Sequence, residues 1–587
     1  MKRFHSARFS GLSRMASVST NAPKRVVVIG AGWAGLVAAK TYLQVDPSIN
    51  LTIFDSERTL GGVWNADRCF PGFLADSPSG LFDFSDLPMR DAMGLKDWSD
   101  LPGEQVYQYL KAYAEKFSLV EKMRLGTKVS RVTRHVDQKS WDVEIEGWGE
   151  TVTCDKLLVA IGLNSKPNWP DIPLKDFTGL AIHSKDIGTR HADLLSEEVQ
   201  RVTVYGGCKS AIDAIILCIN AGKHVDWIIR ETGNGPGMMI QIRKRGVHGA
   251  RLAGRFKNIL TPSIFSIDSF WYRFLHSGKS RLGNWICKKV WAKASSVPLS
   301  MSPYDKKCPN MEKLKPETGD ALFFTASLAA LHGQKKFVDE LHSGNMIQVH
   351  RATITSMSGT SITLNNGETL PCDAAIFATG WDYMSTLFDP ADSLALGTTA
   401  LLKDEDPKTA SYWENLHVEA DKDVLEKFPI LKNPPSYHPR RVIHTPYRLY
   451  RHILPSSLAA QDDRSLVFLG LVTSVQTSIY AEVSALWAVS WMEGMLNISK
   501  SKEEMDYEIA KINAWCERRY LARGRTRQIA SAEIQDVTDV LMRDMGLKVY
   551  RKSNIFSETF LPGSAQDYKG IVQDMLDKSR VERAKQR

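Results

Sequence analysis

Short runs of apolar residues that end in glycine recur along the chain and alternate with stretches of helical hydrophobic spacing. The β-branched residues in these runs are typical of buried strands, and each run has the length of one strand. Strands that alternate with helices form parallel sheets built from βαβ units. The pattern therefore predicts an α/β fold with strands at VVVIG (26–30), LLVAIG (157–162), VTVYGG (202–207), AAIFATG (374–380) and LVFLGLV (466–472).

Two of these strands run directly into a glycine-rich turn and then into a helix. A turn of this kind binds one dinucleotide, because its glycines let the backbone approach a pyrophosphate at the N-terminus of the helix. Two such turns predict two dinucleotides, a flavin and a nicotinamide, and hence redox chemistry. They occupy KRVVVIGAGWAGLVAAK (24–40), with Gly30, Gly32 and Gly35, and RVTVYGGCKSAIDAIILCI (201–219), with Gly206, Gly207 and Ser210.

The first turn has the acidic residue that holds ribose hydroxyls at the end of the following strand. LTIFDSERTL supplies Asp55 directly after its apolar run, and Glu57 is the other possibility. Strand, turn, helix and acid together favour a bound ligand over a glycine-rich turn without one. We therefore assign FAD to Gly30, Ala31, Gly32, Trp33, Ala34, Gly35 and Asp55.

The second turn is accompanied by cations. The strand VDWIIR ends in Arg230, and an arginine there favours the additional phosphate of NADP over the free hydroxyls of NAD. Lys209, inside the turn, is a second cation for the pyrophosphate or the phosphate. The alternative for Arg230 is an exposed strand-end cation without a ligand. These residues predict NADPH as the nicotinamide cofactor.

The second turn interrupts the first strand pattern, which returns after it, so the simplest topology inserts one dinucleotide domain into another. Residues 1–23 are interpreted as disordered, with a basic, serine-containing mitochondrial presequence as the alternative. The predicted parts are a tail (1–23), the FAD domain (24–199 and 371–500), the NADP domain (200–370) with a helical insertion at about 240–330, and a charged helical C-terminal region (501–587).

The stretch 243–293 combines many basic and aromatic residues with a single acid, Asp268. Three interpretations remain open for it: a helical insertion with its aromatics packed inward, a lid over an apolar substrate, and peripheral contact with a membrane surface. The aromatic residues concerned are Phe256, Phe265, Phe270, Trp271, Tyr272, Phe274, Trp285 and Trp291.

Bulk composition narrows the function without deciding it. The 587 residues predict roughly two to four domains, and the net charge of +9 is too modest to indicate nucleic-acid binding. Eight cysteines without a CxxC pair count against a redox dithiol and indicate reduced thiols in an intracellular, cytoplasmic protein. No uncharged apolar run is long enough to span a membrane, and no metal site is expected. The oligomeric state cannot be deduced from the sequence.

Several further segments resemble the flavin-containing monooxygenases and their Baeyer–Villiger relatives. Gly61, Gly62 and Trp64 match the Gly-Gly-x-Trp motif after the ribose-binding acid. FTGLAIHSKD (177–186) is similar to the fingerprint FxGxxxHSxx that links the two dinucleotide domains. The resemblance covers about residues 24–495 and includes FPGFLADSPSGLFDFS (70–85), FSDLP (84–88), FATGWDY (377–383) and GLVTSVQTSIYAEVSALWA (470–488).

The chain departs from this family pattern at two positions. Ile187 stands where the fingerprint ends in an aromatic residue, and Ala211 follows Ser210 where the family has glycine. A third position separates the branches: Asp76 replaces the active-site asparagine of the heteroatom-oxidising branch, as it does in the Baeyer–Villiger branch. FSDLP and Ser210 resemble the heteroatom-oxidising branch instead.

The resemblance implies an FAD- and NADPH-dependent monooxygenase. Such an enzyme inserts one oxygen atom of O₂ into an apolar small molecule through a flavin peroxide or hydroperoxide, by Baeyer–Villiger-type or N/S-heteroatom oxidation. Two other functions remain open: a flavin reductase or oxidase without oxygen insertion, and a non-catalytic flavin-binding protein.

The resemblance also assigns roles to particular residues. Asp76 is the predicted catalytic determinant of the reaction type, with capping of a turn as the alternative. His183 is a weaker candidate for proton transfer, with a structural role between the domains as the alternative. The residues predicted to lie near the flavin are Gly62, Val63, Trp64, Thr379 and Gly380.

Overall fold

The computed structural model describes residues 22–586, apart from 137–138, 150, 175, 234, 242–253, 317–318, 325–327, 439–441, 475, 526–527 and 532. The predicted disorder of the tail therefore falls on residues that lie outside this range, except for 22 and 23. The first part of the basic and aromatic stretch, 243–253, also lies outside it.

The strands follow the predicted apolar runs and add shorter ones between them. In chain order they are β1 (Arg25–Ile29), β2 (Asn50–Phe54), β3 (Met123–Arg124), β4 (Val129–His135), β5 (Ser140–Ile145), β6 (Thr151–Cys154), β7 (Lys156–Val159), β8 (Lys166–Pro167), β9 (Asp176–Phe177), β10 (Leu180–His183), β11 (Arg201–Tyr205), β12 (His224–Ile229), β13 (Met238–Gln241), β14 (Leu328–Leu331), β15 (Ile347–Arg351), β16 (Ile354–Gly359), β17 (Ser361–Leu364), β18 (Thr369–Pro371), β19 (Ala374–Phe377), β20 (Trp381–Asp382), β21 (Leu449–Tyr450), β22 (Leu454–Pro455) and β23 (Leu466–Phe468).

The helices alternate with these strands and dominate the last part of the chain. They are α1 (Trp33–Val45), α2 (Met89–Met93), α3 (Gly103–Lys116), α4 (Ile187–Leu194), α5 (Lys209–Asn220), α6 (Arg255–Ile259), α7 (Arg281–Leu299), α8 (Pro309–Lys313), α9 (Ala321–Phe324), α10 (Lys335–Ser343), α11 (Pro390–Ala395), α12 (Pro407–Lys427), α13 (Ser456–Ala459), α14 (Thr477–Met492), α15 (Lys502–Tyr520), α16 (Ile534–Asp544), α17 (Ile555–Phe560) and α18 (Ile571–Gln586).

Two parallel five-stranded sheets form the framework. The first has the strand order β23-β7-β1-β2-β3, and the second has the order β10-β19-β11-β12-β15. In each sheet the strand that precedes a glycine turn, β1 or β11, lies at the centre. The second sheet interrupts the first between β7 and β23, so the prediction of one dinucleotide fold inserted into another is confirmed.

The predicted domain boundaries at 199/200 and 370/371 need correction. Strand β19 pairs in parallel with β10 on one side and with β11 on the other, so residues 374–377 belong to the second sheet. Residues 180–183 belong to it as well. The strand-like sequence of AAIFATG was identified correctly, but it was assigned to the first sheet, because an apolar run carries no information on its partner.

The chain crosses between the two sheets twice, and the crossings run side by side. Strand β8 follows the first sheet and β20 follows the second, and they pair antiparallel through Trp381–Pro167 and Asp382–Lys166. An ion pair of 2.7 Å joins the Lys166 Nζ to the Asp382 carboxylate. The two connections therefore form one two-stranded ribbon.

The C-terminal region is helical, as predicted, and it also contributes to the core. Helix α14 is buried along its whole length from Ser478 to Met492, because α1 packs on one side of it and α16 on another. Leu541 and Met542 of α16 belong to the same apolar cluster as α1. Among the described residues, no helix combines the length and the apolar character that crossing a bilayer requires.

Candidate functional site

A cavity of about 700 Å³ lies where the two glycine turns face each other. The first turn contributes Gly30, Gly32 and Ala34 to its wall, and the second contributes Lys209 and Ser210. The carboxyl ends of parallel strands, where these turns lie, are the usual ligand-binding edge of open α/β sheets. One cavity thus has access to both predicted dinucleotide sites.

The first turn is tight, and only glycine fits at two of its positions. Gly30 has φ +110°, and a Cβ atom there would lie 2.4 Å from the Ala160 carbonyl oxygen of the neighbouring strand end. A Cβ atom on Gly35 would lie 1.8 Å from the Gly30 carbonyl oxygen, so this glycine lets α1 pack directly on β1. Any larger residue at position 35 would therefore displace the turn at Gly30.

The N-terminus of α1 fits the pyrophosphate of a dinucleotide. Its N-cap is Gly32, which has no side chain to bind the exposed N–H groups, and the first turn of the helix contains no acid. Such an end carries partial positive charge and free N–H donors, which suit an anion. Trp33 begins this helix with its ring packed against Phe82 at 4.7 Å.

Asp55 lies at the end of β2, where it lines the cavity as predicted. One carboxylate oxygen accepts the Ala31 N–H at 2.7 Å, and the other accepts the Glu57 N–H at 2.8 Å. Burial raises the pKa of this carboxyl, and the two backbone donors oppose that rise. Asp55 thus fixes the glycine turn while it lines the cavity.

The Gly-Gly-x-Trp segment closes over the first turn. Gly61 and Gly62 have φ of +116° and +62°, and a Cβ atom on Gly62 would lie 3.2 Å from the Cα of Gly32. The Gly61 N–H also donates to the Ala31 carbonyl at 2.9 Å. The segment with Gly61 and Gly62 therefore packs directly on the first glycine turn. Val63 and Trp64, which follow it, line the cavity.

Aromatic rings form one wall of the cavity. Trp64 stacks on Phe73 with ring centroids 5.2 Å apart, and Phe73 stacks on Phe70 at 4.9 Å. Phe82 meets the edge of Trp64 at 5.7 Å. All four rings line the cavity, so this wall offers apolar contact to a planar ring system or to an apolar ligand.

The second turn repeats the glycine geometry of the first. Gly206 has φ +148°, and its Cβ atom would lie 2.2 Å from the Ala378 carbonyl oxygen. A Cβ atom on Gly207 would lie 2.9 Å from the Gly235 carbonyl oxygen. The N-cap of α5, Cys208, makes no side-chain capping bond, so this helix start also suits an anion.

Arg230 lies directly after β12, at the end of the strand that follows this turn, as the sequence predicts. Its guanidinium is exposed and lies beside Gly233, whose Cβ atom would be 3.2 Å from the Arg230 Nε. Arg230, Gly206 and Gly207 are not among the residues that line the 700 Å³ cavity. The arrangement places a cation at the strand end of the second turn.

The amine of Lys209 lies at the cavity wall, where neighbouring carboxylates bind it. Its Nζ donates to both oxygens of the Asp213 carboxylate, at 2.6 and 2.7 Å, and to the Leu74 carbonyl at 3.2 Å. The carboxylate of Asp76 lies 3.7 Å from the same nitrogen. Lys209 therefore connects the second turn to residues 74–76 of the first domain, at the cavity wall.

The charges of this group are set by burial and by their proximity. Burial raises the pKa of Asp213 to about 6, although the adjacent ammonium opposes the rise. Burial acts to lower the pKa of Lys209, but the carboxylates of Asp213 and Asp76 raise it above its ordinary value. Lys209 consequently stays protonated, and it provides a permanent cation beside Asp76.

A second charged group at the cavity was not predicted from the sequence. Arg68 bonds to the Glu57 carboxylate at 3.1 Å, and Lys185 pairs with the same carboxylate at 3.0 Å. The Arg68 guanidinium also lies 5.4 Å from the ring centre of Trp381. Burial raises the pKa of Glu57, but Lys185 and Arg68 lower it further, so this carboxylate is held ionised.

His183 is buried at the end of β10, and the backbone binds both of its ring nitrogens. The Lys185 N–H donates to Nδ1 at 3.1 Å, and Nε2 donates to the Gly380 carbonyl at 3.1 Å. Burial lowers the pKa of this imidazole. His183 does not line the 700 Å³ cavity, so the geometry supports its alternative role between the domains and gives none to proton transfer.

Thr379 and Gly380 follow β19 in the second sheet, so their predicted position on the flavin side needs correction. The Thr379 hydroxyl donates to the Asn168 carbonyl at 2.6 Å, and the Gly380 carbonyl accepts the Asn168 N–H at 3.0 Å. Neither residue lines the cavity, whereas the next residue, Trp381, does. Thr379 and Gly380 therefore join the two connections between the sheets at the start of the ribbon.

The C-terminal part of the chain completes the first site. Gly470 and Thr473 line the cavity from the segment after β23, and Tyr480 lines it from α14. Below them Glu482 accepts the Ser85 N–H at 2.9 Å and the Ser85 hydroxyl at 2.8 Å. Burial raises the pKa of Glu482 to about 8, and the nearby Asp86 contributes to that rise.

Comparisons with known proteins identify the family to which the chain belongs. The pyridine nucleotide-disulphide oxidoreductase family matches residues 27–242. An FAD-dependent monooxygenase of Aspergillus nomiae is 35% identical over 566 residues, which cover 94% of this chain and 98% of the relative. An FAD-dependent monooxygenase of Alternaria brassicicola is 34% identical over 567 residues and covers 95% of each chain.

Among solved structures, cyclohexanone monooxygenase from Rhodococcus sp. Phi1 bound to NADP⁺ matches with a TM-score of 0.56 and 16% identity, over 89% of this chain and 98% of that one. This similarity supports the fold. The two sheets and the facing turns define a flavoprotein oxidoreductase with two dinucleotide-binding folds. The identity over nearly the whole chain goes further: the chain belongs to the FAD-dependent monooxygenases.

Proposed function

We propose that this enzyme uses NADPH to introduce one oxygen atom of O₂ into an apolar small molecule. Substrate, NADPH, a proton and O₂ then give the oxygenated product, NADP⁺ and water. Bound FAD supplies the redox chemistry between the nicotinamide and O₂. The observation that carries the proposal is the shared cavity, whose wall contains Gly30 and Gly32 of the first turn and Lys209 and Ser210 of the second.

The cavity supports an apolar substrate in two ways. The stacked rings of Phe70, Phe73 and Trp64 supply a broad apolar surface. The charged side chains beside them, Arg68 and Lys209, each form an ion pair with a carboxylate of the protein. A substrate that lacks charge fits such a wall better than an ionic one, because it need not compete for these ion pairs.

Within this class we propose Baeyer–Villiger-type oxidation of a carbonyl compound. Lys209 places a protonated amine 3.7 Å from Asp76 at the cavity wall. A fixed cation stabilises negative charge that develops on oxygen during attack on a carbonyl group. Asp213 holds the amine through bonds of 2.6 and 2.7 Å, and Asp76 lies beside it at the cavity wall.

Heteroatom oxidation is the second candidate. The segment FSDLP (84–88), with its Ser85 bound to Glu482, resembles the heteroatom-oxidising branch. In that reaction no negative charge accumulates on a substrate oxygen, so Lys209 and Asp76 would contribute less to the rate.

The test compares classes of substrate and checks whether the electrons from NADPH end in oxygenated product or in H₂O₂. Purified enzyme is supplied with NADPH and with panels of cyclic ketones, linear ketones and thioethers, while NADPH oxidation, H₂O₂ and oxygenated products are quantified. We expect esters or lactones in stoichiometric ratio to NADPH oxidised. Sulfoxides without esters would favour the second candidate. H₂O₂ equal to the NADPH consumed, with every panel, would indicate an oxidase and contradict the proposal.

Asp76→Asn separates the two candidate reactions. For Baeyer–Villiger chemistry we expect ester formation to fall by about 10² to 10³-fold, as in the loss of one group that stabilises an oxyanion, with flavin reduction by NADPH nearly unchanged. Asp91→Asn is the matched control, because this carboxylate is 63% exposed outside the cavity. Unchanged product formation by Asp76→Asn would contradict the role given to this carboxylate.

A further inference from the structure

The basic and aromatic stretch folds into a helical hairpin, which we define as residues 268–299. Its first leg ends in the helical turn Tyr272–His276, and its second leg is α7. The two legs are in close contact, because a Cβ atom on Gly283 would lie only 1.7 Å from the Phe274 carbonyl oxygen. The hairpin is therefore a compact unit.

The inner side of the hairpin is attached to the segment after α6. Trp291 is buried, and its Nε1 donates to the Leu260 carbonyl at 3.2 Å. The Nε2 of His276 donates to the Ile259 carbonyl at 2.9 Å. These bonds hold one side of the hairpin against the protein and leave the other side facing solvent.

The outer side carries large apolar residues that nothing in the described part of the chain covers. Phe270, Trp271, Leu282 and Trp285 are 66%, 45%, 60% and 58% exposed. Leu282 and Trp285 follow each other by three positions on α7, so they lie on one stripe of that helix. Exposed apolar residues in such a group mark an interaction surface.

The charged side chains of the hairpin are all basic, except for Asp268 at its first position. Residues 269–293 contain six lysines and arginines and no acid. Within the described part of the chain none of the six makes a salt bridge, whereas ion pairs are common elsewhere on this surface. The six residues are Arg273, Lys279, Arg281, Lys288, Lys289 and Lys293.

A second group of exposed apolar residues lies on α6 and α17. Phe256 stacks on Phe560 with ring centroids 5.5 Å apart, and Phe560 meets Phe556 at 5.0 Å. These three rings and Ile555 are all exposed. Helix α6 carries Phe256 of this group and ends at Ile259, whose carbonyl binds the hairpin.

Two of the three interpretations of this stretch do not account for these residues. No residue from 254 to 293 lines the 700 Å³ cavity, so the hairpin is not a lid over it in this structure. Inward packing describes Trp291 and, in part, Tyr272, whose hydroxyl donates to the Lys427 carbonyl at 3.1 Å. It does not describe Phe270, Trp271 or Trp285.

We propose that the outer side of the hairpin docks on the surface of an anionic lipid membrane. Aromatic residues insert at the level of the lipid headgroups, while lysine and arginine extend to anionic phosphates. A nucleic acid would use the cations but not Leu282. A second copy of the chain would bring its own six cations against these, which disfavours symmetric pairing.

The test uses the full FAD-loaded protein and vesicles that differ only in charge. Sedimentation with phosphatidylcholine vesicles is compared with sedimentation with vesicles in which about a third of the lipid is phosphatidylserine, at low and high salt. We expect binding to the anionic vesicles to be at least tenfold tighter and to weaken with salt, since several lysines and arginines act together at roughly 1 kcal/mol each. Equal or absent binding to both vesicles would overturn the proposal.

Two double variants identify the surface. Lys288→Glu/Lys289→Glu and Phe270→Ser/Trp285→Ser are each expected to lose at least about tenfold in affinity for anionic vesicles. Lys335→Glu/Lys403→Glu changes the charge equally at exposed sites outside the hairpin and is expected to bind like the parent. Flavin content and thermal midpoint are measured for all, so that a folding defect is recognised.

Two further results would overturn the proposal. Binding that both hairpin variants retain would mean that the membrane contacts a different region. A parent protein that is a dimer, with a monomeric Phe270→Ser/Trp285→Ser variant and no vesicle binding, would mean that the surface joins two copies of the chain.

Discussion

The hydroxyl of Ser85 donates to the carboxylate of Glu482 at 2.8 Å, although 397 residues separate the two in sequence. This bond connects the segment after the cavity's aromatic wall with helix α14, in a position sealed from water. Lys40 and Asp86 form an ion pair of 2.6 Å beside it. The two halves of the first domain are therefore joined by a buried polar group whose charge responds to pH.

Glu482→Gln is expected to change how stability depends on pH. The pKa of Glu482 is raised from 4.5 to about 8 by burial, so the folded protein keeps a proton that the unfolded chain releases over this window. The stability of the parent therefore falls as pH rises between these values. Glutamine stays neutral at every pH, so the free energy of unfolding of the variant should fall less over the same window. We expect the two falls to differ by more than about 1 kcal/mol.

Thermal midpoints of the FAD-loaded parent and the variant, measured at several values of pH between about 5 and 8, check this prediction. Glu146→Gln is the control, because its side chain is 59% exposed. Parallel curves for parent and Glu482→Gln would show that Glu482 is ionised in the folded protein throughout.

Gly32→Ala is expected to separate cofactor binding from folding. A Cβ atom at this position meets nothing closer than the Gly62 Cα at 3.5 Å, so the fold should accept the methyl group. The methyl group would, however, occupy the space through which a pyrophosphate approaches the helix start. FAD affinity should fall at least about tenfold, as for the loss of one good contact.

Titration of FAD-free protein with FAD, with circular dichroism as the folding control, measures this effect. Gly30→Ala is the contrasting variant, because its Cβ atom would lie 2.4 Å from the Ala160 carbonyl oxygen at φ +110°. It should disturb folding itself. If the Gly32→Ala variant binds FAD as tightly as the parent, the pyrophosphate does not bind at this turn.

Arg230→Ala is expected to reduce the preference for NADPH over NADH. The guanidinium lies at the end of β12 in solvent, where it pairs with a phosphate more strongly than a neutral side chain does. The kcat/KM for NADPH should fall by about 10² while that for NADH changes little, since charge-assisted bonds contribute roughly 1.5–3 kcal/mol. Arg131→Ala, an exposed arginine of β4, serves as the control. Equal losses with both cofactors would contradict the assignment.

Lys209→Met is expected to damage stability and activity, and a double variant separates the two. Removing the amine leaves the Asp213 carboxylate buried without a cation, which costs about 3–5 kcal/mol when a buried pair is broken. Lys209→Met/Asp213→Asn removes both charges and should recover most of that stability. Product formation should stay at least about tenfold below the parent in both. If the double variant recovers the activity of the parent, Lys209 has a structural role and no role in the reaction.

The sequence predicted the local parts of the site well. Both glycine turns, Asp55 and Arg230 lie where the motifs placed them, because these positions depend on a strand, a turn and a helix that are adjacent in the chain. For Lys209, the motif did not predict the ion pair that the structure shows. Its acceptor Asp213 stands four positions later on the same helix, a spacing that predicts an ion pair by itself.

The parts that were missed depend on contacts between distant segments. AAIFATG has the features of any buried strand, and only pairing with β10 and β11 assigns it to the second sheet. Arg68 belongs to no motif. Its position follows from a short helical turn at residues 66–68, where the Asn65 side chain accepts the Arg68 N–H. Lys185, which shares the Glu57 carboxylate with Arg68, comes from the segment after β10.

The paired crossing of β8 and β20 restricts how the two halves of the enzyme can separate. Two independent tethers would let the halves swing in any direction, but strands bonded to each other must bend together. We therefore expect any rotation of one sheet against the other to follow a hinge line along the ribbon, close to Trp381 at the cavity wall. Such a rotation would widen the cavity between the two glycine turns without changing either turn.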